Sequence, residues 1–268
     1  MVTIELVVTD LDGTLWSGHE EIHPRTRQAW TELERRGLPV LVATGRRVAS
    51  TRLPLAAVGL APPAVVMNGA LALDLASGSR FHHHHCDPDI ALRIVRAFRT
   101  AGLEPCVYVD HQDVEVIVTS RPATHPDHLA SLESTATHDD LERVVTELPV
   151  FMFGMMGHAD GLALREIAEQ VGGFAEAHVA RDQFGGHSLT AGPRGVSKWV
   201  GVEAYCARAG LDPSRVLALG DGPNDGELLD RCAIAVVPED AHPGALTRAD
   251  HVVPPADTGG WAGVLDLV

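Results

Sequence analysis

The chain has 268 residues, 45% apolar and 21% charged, enough for one large domain or a core with a smaller companion. Its 21 basic and 36 acidic residues leave a formal charge of -15, which disfavours nucleic acid and anionic membrane surfaces as partners. Four scattered cysteines (Cys86, Cys106, Cys206, Cys232) form no C-x-x-C pair, no apolar run reaches the length of a membrane span and no basic leader precedes the first strand, so the expectation is a reduced, cytoplasmic protein.

Residues 4–9 are apolar and β-branched and suit a strand buried on both faces of a parallel sheet. Residues 24–36 carry Ala29, Trp30 and Leu33 at helical spacing, with Pro24 in the first turn and Gly37 at the stop. Residues 38–43 read as a second strand, 47–57 as a helix broken by Pro54, and 64–67 as a third strand. Near Phe81 the texture changes. The run His82, His83, His84, His85 reads as a solvated connector, because successive residues of an extended segment point to opposite faces and do not converge on one metal. A helix follows from Asp87 to Gly102, then paired strands at 106–109 and 114–119.

Residues 120–138, rich in His, Pro, Ser and Thr, read as loop, and His111, His125, His128 and His138 as surface histidines. A helix at 139–148, a strand at 150–156, a helix at 162–171 and a strand at 174–180 complete this stretch, with Met152, Met155 and Met156 as core filling. Strand–helix alternation then returns: helix 197–209, strand 216–219, helix 225–232 and strand 233–237, with Trp199 and Trp261 as packing residues. The two flanks read alike and the middle differs. The expected architecture is an α/β doubly wound, Rossmann-like parallel sheet built from residues 1–81 and 191–268, with an inserted α+β domain at 82–190.

Chemistry-bearing residues gather at strand and helix ends. Asp10-Leu11-Asp12-Gly13-Thr14 directly follows the first strand, where ligands of open α/β sheets bind. Gly220-Asp221-Gly222-Pro223-Asn224-Asp225 follows another buried strand, so four carboxylates are available to a hard divalent cation such as Mg²⁺. Thr44-Gly45-Arg46 offers a hydroxyl and backbone N–H groups to a phosphate, and Lys198 adds a formal charge at a helix start.

In this order and spacing the chain resembles the haloacid dehalogenase superfamily of phosphatases. Asp10-Leu11-Asp12-Gly13-Thr14, Thr44-Gly45-Arg46, Lys198 and Gly220-Asp221-Gly222-Pro223-Asn224-Asp225 match its four motifs, and Asn68-Gly69-Ala70 is similar to an element of its Cof-type subfamily. Roughly thirty residues lie between Thr14 and Thr44 but about 150 between Arg46 and Lys198, so only the second interval holds a domain. The resemblance implies that this domain is a cap that sets specificity.

It further implies Asp10 as nucleophile through an aspartyl-phosphate, Asp12 as general acid and base, and Thr44 and Lys198 holding phosphoryl oxygens. Mg²⁺ is implied at Asp10, Asp221, the Asp12 carbonyl and Asp225, and phosphate or substrate contacts at Gly45, Arg46, Asn68 and Asn224. An acid two residues after the nucleophile favours an alkoxide leaving group, which needs a proton, over a halide, which does not. The expectation is a phosphomonoesterase of small phosphorylated metabolites, sugar phosphates foremost, acting as a monomer or homodimer. The alternatives are a phosphomutase or phosphotransferase with the same nucleophile, and a catalytically silent binding protein.

Overall fold

A computed structural model describes residues 3–18, 20–132 and 135–268. The first flank contains β1 (Leu6–Thr9), α1 (Pro24–Arg35), β2 (Val40–Ala43), α2 (Val48–Ala57), β3 (Pro63–Val66), β4 (Leu71–Asp74) and β5 (Arg80–His83). The middle contains α3 (Pro88–Thr100), β6 (Cys106–Val109), β7 (Val116–Val118), α4 (Pro126–Ser131), β8 (Thr135–Thr137), α5 (Leu141–Glu147), β9 (Val150–His158), α6 (Gly161–Val171), β10 (Ala175–Arg181) and β11 (His187–Pro193). The second flank contains α7 (Lys198–Ala209), β12 (Val216–Leu219), α8 (Gly226–Arg231), β13 (Ile234–Pro238), α9 (Pro243–Leu246) and β14 (His251–Val253).

The chain divides into two compact units, Met1–His83 with Ser197–Val268, and His84–Val196. The second division falls at Ser197 rather than near residue 191, because β11 pairs antiparallel with β9 and β10 as far as Pro193.

In the first unit eight strands run in the order β14-β13-β12-β1-β2-β3-β4-β5. The six from β14 to β3 are parallel, and β4 and β5 add an antiparallel hairpin at the edge. Strands β1, β2 and β12 are buried along their whole length, as a sheet covered on both faces requires. Leu6, Val8, Leu41, Val65 and Val216 pack on one face against Trp199, Val202 and Cys206 of α7. Because β1 lies between β2 and β12, the strand order reverses there. That reversal opens a crevice at the carboxyl ends of these strands.

The second unit is a six-stranded sheet in the order β10-β11-β9-β6-β7-β8. Phe153, Met155, Leu189 and Ala191 of the sheet form one core with Ile94, Phe98, Val145, Leu164 and Ile167 of α3, α5 and α6.

Several local expectations are corrected. Pro54 does not break its helix, since α2 runs through it. The 120–138 stretch holds α4 and β8, with residues 133 and 134 outside the described residues. The β8 strand is short and polar and pairs with β7, a contact no local pattern announces. His82 and His83 are not a free connector, since they pair with Ala72 and Leu71 in β5. His85 lies 2.9 Å from Asp110 and packs on the Phe151 ring. His128 is buried rather than on the surface, with Nδ1 2.7 Å from Thr124 Oγ1 and its ring edge-on to Phe184.

Helix α7 lies so close to β3 that a Cβ on Gly201 would sit 2.4 Å from Val65 Cγ1. Gly201→Ala should therefore overpack this interface and lower stability by about 1–3 kcal/mol, measured by urea denaturation. An unchanged midpoint would show that α7 moves off the sheet without penalty.

Candidate active site

Strand β1 ends by delivering Asp10. The Asp10 N–H donates to the Leu219 carbonyl at 2.9 Å, keeping it in register with β12. Thr9 Oγ1 donates to the Asp10 carbonyl at 2.7 Å and accepts from Trp261 Nε1 at 2.9 Å, so a buried indole pins the strand end. Gly13 then turns the chain at φ 76°, and a Cβ there would lie 2.4 Å from Asp221 Oδ2. Only glycine allows both the left-handed backbone and this approach. Thr14 Oγ1 closes the same contact by donating to Asp221 Oδ1 at 2.9 Å.

Lys198 opens α7 and is fully buried. Its Nζ lies 3.0 Å from Asp10 Oδ2 and 2.6 Å from Asp225 Oδ1. Asp225 Oδ2 accepts the backbone N–H groups of Asp221 at 3.1 Å and Gly222 at 2.9 Å. Both Asp225 oxygens are thus engaged, and Asp225 braces the loop as well as the lysine. Asp10 Oδ1 is buried with no hydrogen-bond partner.

Oxygens of Asp10, Asp221 and Asp225 lie within 4.8 Å of one another. One ammonium faces three carboxylates. Burial lifts Asp10 well above the ordinary carboxylate range; Lys198 opposes this, while Asp225, Asp221 and Asp12 add to it. Asp221 is pushed up to about 7, by burial first and by Asp225 second. Lys198 is raised despite its burial, because Asp10 and Asp225 outweigh the loss of water. The site is short of positive charge, and its donors are hard oxygens with one buried lone pair unfilled. These residues fit a divalent cation.

The remaining predicted residues form an adjoining row. Thr44 follows β2 and donates its N–H to the Val65 carbonyl at 2.8 Å, while its Oγ1 accepts the Arg46 N–H at 3.2 Å. Asn68 adopts the left-handed conformation, at φ 54°, and its Oδ1 accepts from Asn224 Nδ2 at 2.9 Å. Gly45 fits beneath this pair, since a Cβ there would lie 2.9 Å from Asn68 Oδ1. Asp12 is half-exposed and gripped on both oxygens by Arg46, from Nε and Nη2 at 2.6 Å each. Trp16 Nε1 also donates to Asp12 Oδ1 at 3.1 Å.

All ten residues singled out from the sequence therefore lie on the carboxyl-end loops of β1, β2, β3 and β12 or at the start of α7. Those loops also carry three residues the sequence reading left without a role: Thr14, Trp16 and Glu20. Trp261 was read as packing alone, yet it is also a donor. Its partner is 252 residues away, so no local signal could have found it.

A family model described as haloacid dehalogenase-like hydrolase matches residues 7–265. The chain belongs to the haloacid dehalogenase-like hydrolases. It is similar to the phosphoglycolate phosphatase of Methanopyrus kandleri, 28% identical over 250 residues that cover 92% of this chain and 90% of that protein. In fold it is similar to a haloacid dehalogenase-like hydrolase from B. subtilis, with a TM-score of 0.83 at 17% identity, covering 98% of this chain and 99% of the other. It is also similar to a subclass IIB sugar phosphatase of the superfamily, with a TM-score of 0.80 at 19% identity and 98% of each chain covered. Among the described residues no helix is long and apolar enough to cross a membrane.

The raised Asp221 predicts a pH-dependent response of this hydrolase to metal. The folded state keeps its proton up to about 7, whereas an unfolded aspartate releases it near 3.8. The contribution of this one group to the stability of the metal-free protein is therefore lost as pH rises across that window. A cation takes the proton's place, so magnesium chloride should raise the thermal midpoint more at about pH 8 than at about pH 5. Equal shifts at both values would contradict the assignment of this cluster to a cation.

Proposed function

We propose that this hydrolase is a Mg²⁺-dependent phosphomonoesterase of small phosphorylated metabolites, sugar phosphates foremost, working through an aspartyl-phosphate. The observation that carries the reading is Asp10 Oδ1, a buried carboxylate oxygen with no partner, on a residue whose other oxygen is held by Lys198. The names of the similar proteins, a phosphoglycolate phosphatase and a sugar phosphatase, support the same substrate class.

Asp10 Oδ1 attacks phosphorus, and the bond from phosphorus to the ester oxygen breaks with its electron pair going to the leaving alcohol. Asp12 gives that oxygen a proton. Asp12, now a carboxylate, then takes a proton from water as the water oxygen attacks the phosphorus of the aspartyl-phosphate. The bond to Asp10 breaks, phosphate leaves and Asp10 is restored.

Lys198 and the Thr44 hydroxyl hold oxygens of the transferring group, with Asn68 and Asn224 adding amide hydrogen bonds and Gly45 the close backbone approach. Arg46 orients Asp12 and reaches substrate. Asp10, Asp221, the Asp12 carbonyl and, directly or through water, Asp225 would hold the Mg²⁺, which when bound offsets the charge of carboxylates and phosphoryl oxygens. The unit His84–Val196 is assigned the choice of substrate.

Asp10→Asn should abolish Mg²⁺-dependent hydrolysis of p-nitrophenyl phosphate while circular dichroism shows that the fold survives. Near-normal turnover in that variant would refute the nucleophile. Asp12→Ala should lose about 10²–10⁴-fold in kcat on alkyl phosphates. Chelation should silence the wild type, and added Mg²⁺ should restore it; activity that survives chelation would rule out the metal requirement.

A further inference from the structure

Pro54 stands inside α2 and has no N–H, so the carbonyl four residues earlier, on Ser50, loses its helical donor. Arg46 Nη1 donates to that carbonyl at 3.0 Å. The same nitrogen bonds Glu20 Oε1, and the guanidinium lies 5.2 Å from the centre of the Trp16 ring. Glu20 reaches this position from a left-handed backbone, φ 58°, uncommon for a residue with a side chain. Three contacts thus hold Arg46 besides Asp12, and Nε and Nη2 grip Asp12.

A guanidinium is a planar fork, so fixing one nitrogen fixes the direction of the other two. An ordinary residue at position 54 would return a helical N–H to the Ser50 carbonyl and compete with Arg46 for it. The carbonyl has two lone pairs, so the competition weakens the mooring without abolishing it.

We propose that Pro54 is a positioning residue for Asp12, acting through the Ser50 carbonyl and Arg46. The inference rests on the acid–base role given to Asp12 under Proposed function. It predicts an effect on kcat/KM, which reports the step that expels the alcohol and not the later attack of water common to every ester, confined to leaving groups that need a proton.

Phenyl phosphate and p-nitrophenyl phosphate are close in size, but nitrophenolate departs with little protonic help. Pro54→Ala should lower kcat/KM on phenyl phosphate about three- to tenfold, a fraction of the full acid contribution, with less than about a twofold change in kcat/KM on p-nitrophenyl phosphate. Its thermal midpoint should equal or exceed that of the wild type, since alanine suits a helix interior better than proline. Glu20→Gln, which weakens a second mooring without touching α2, should show the same selectivity. In an Arg46→Ala background Pro54→Ala should change nothing further, because the two act in one chain.

Asp12→Ala separates the two levels. If it loses kcat/KM equally on both esters, the acid role of Asp12 fails and the inference falls with it. If Asp12→Ala is selective while Pro54→Ala is not, or if the effect of Pro54→Ala persists without Arg46, the inference alone is wrong.

Discussion

A fully buried ammonium governs this site. Lys198 is fully buried, and its charge is met by Asp10 and Asp225 at hydrogen-bond distance. Removing one partner of a buried ion pair typically destabilises by about 3–5 kcal/mol, because the remaining charge is left in a poor solvent. The first strand, the start of α7 and the loop after β12 are therefore tied to one another by electrostatics as well as by packing. Asp225 is central to that tie: one oxygen holds the lysine and the other holds two backbone N–H groups of its own loop.

The same constraint explains the excess negative charge. A single ammonium cannot balance Asp10, Asp221 and Asp225, and burial raises Asp10 and Asp221 rather than letting them ionise freely. Such an imbalance fits a divalent cation. Under the proposed function a cation would be held by these carboxylates, and Lys198 beside Asp10 would meet the charge of a phosphoryl group.

Asp10 and Asp12 are two residues apart and live in different surroundings. Asp10 is buried with one oxygen unpartnered; Asp12 is half-exposed with both oxygens held by Arg46. The helix that follows Arg46 bears on the second of these environments, since its internal proline leaves a carbonyl for the guanidinium to hold.

What the sequence determined by itself was whatever depends on neighbours along the chain. The β-branched runs before Asp10 and Asp221, the glycines that turn the chain after them and the lysine at a helix start are local patterns, and their order was enough to name the family. Tertiary structure decided what depends on distant partners. Which carboxylate is braced and which oxygen stays open follows from pairs such as Thr14 with Asp221, 207 residues apart, and Lys198 with Asp225, 27 apart. The hairpin β4–β5, the pairing of β8 with β7, the burial of His128 and the survival of α2 through Pro54 share that origin. Strand edges, ring contacts and vacated carbonyls are filled by whatever the fold brings near, and periodicity along the chain carries no record of it.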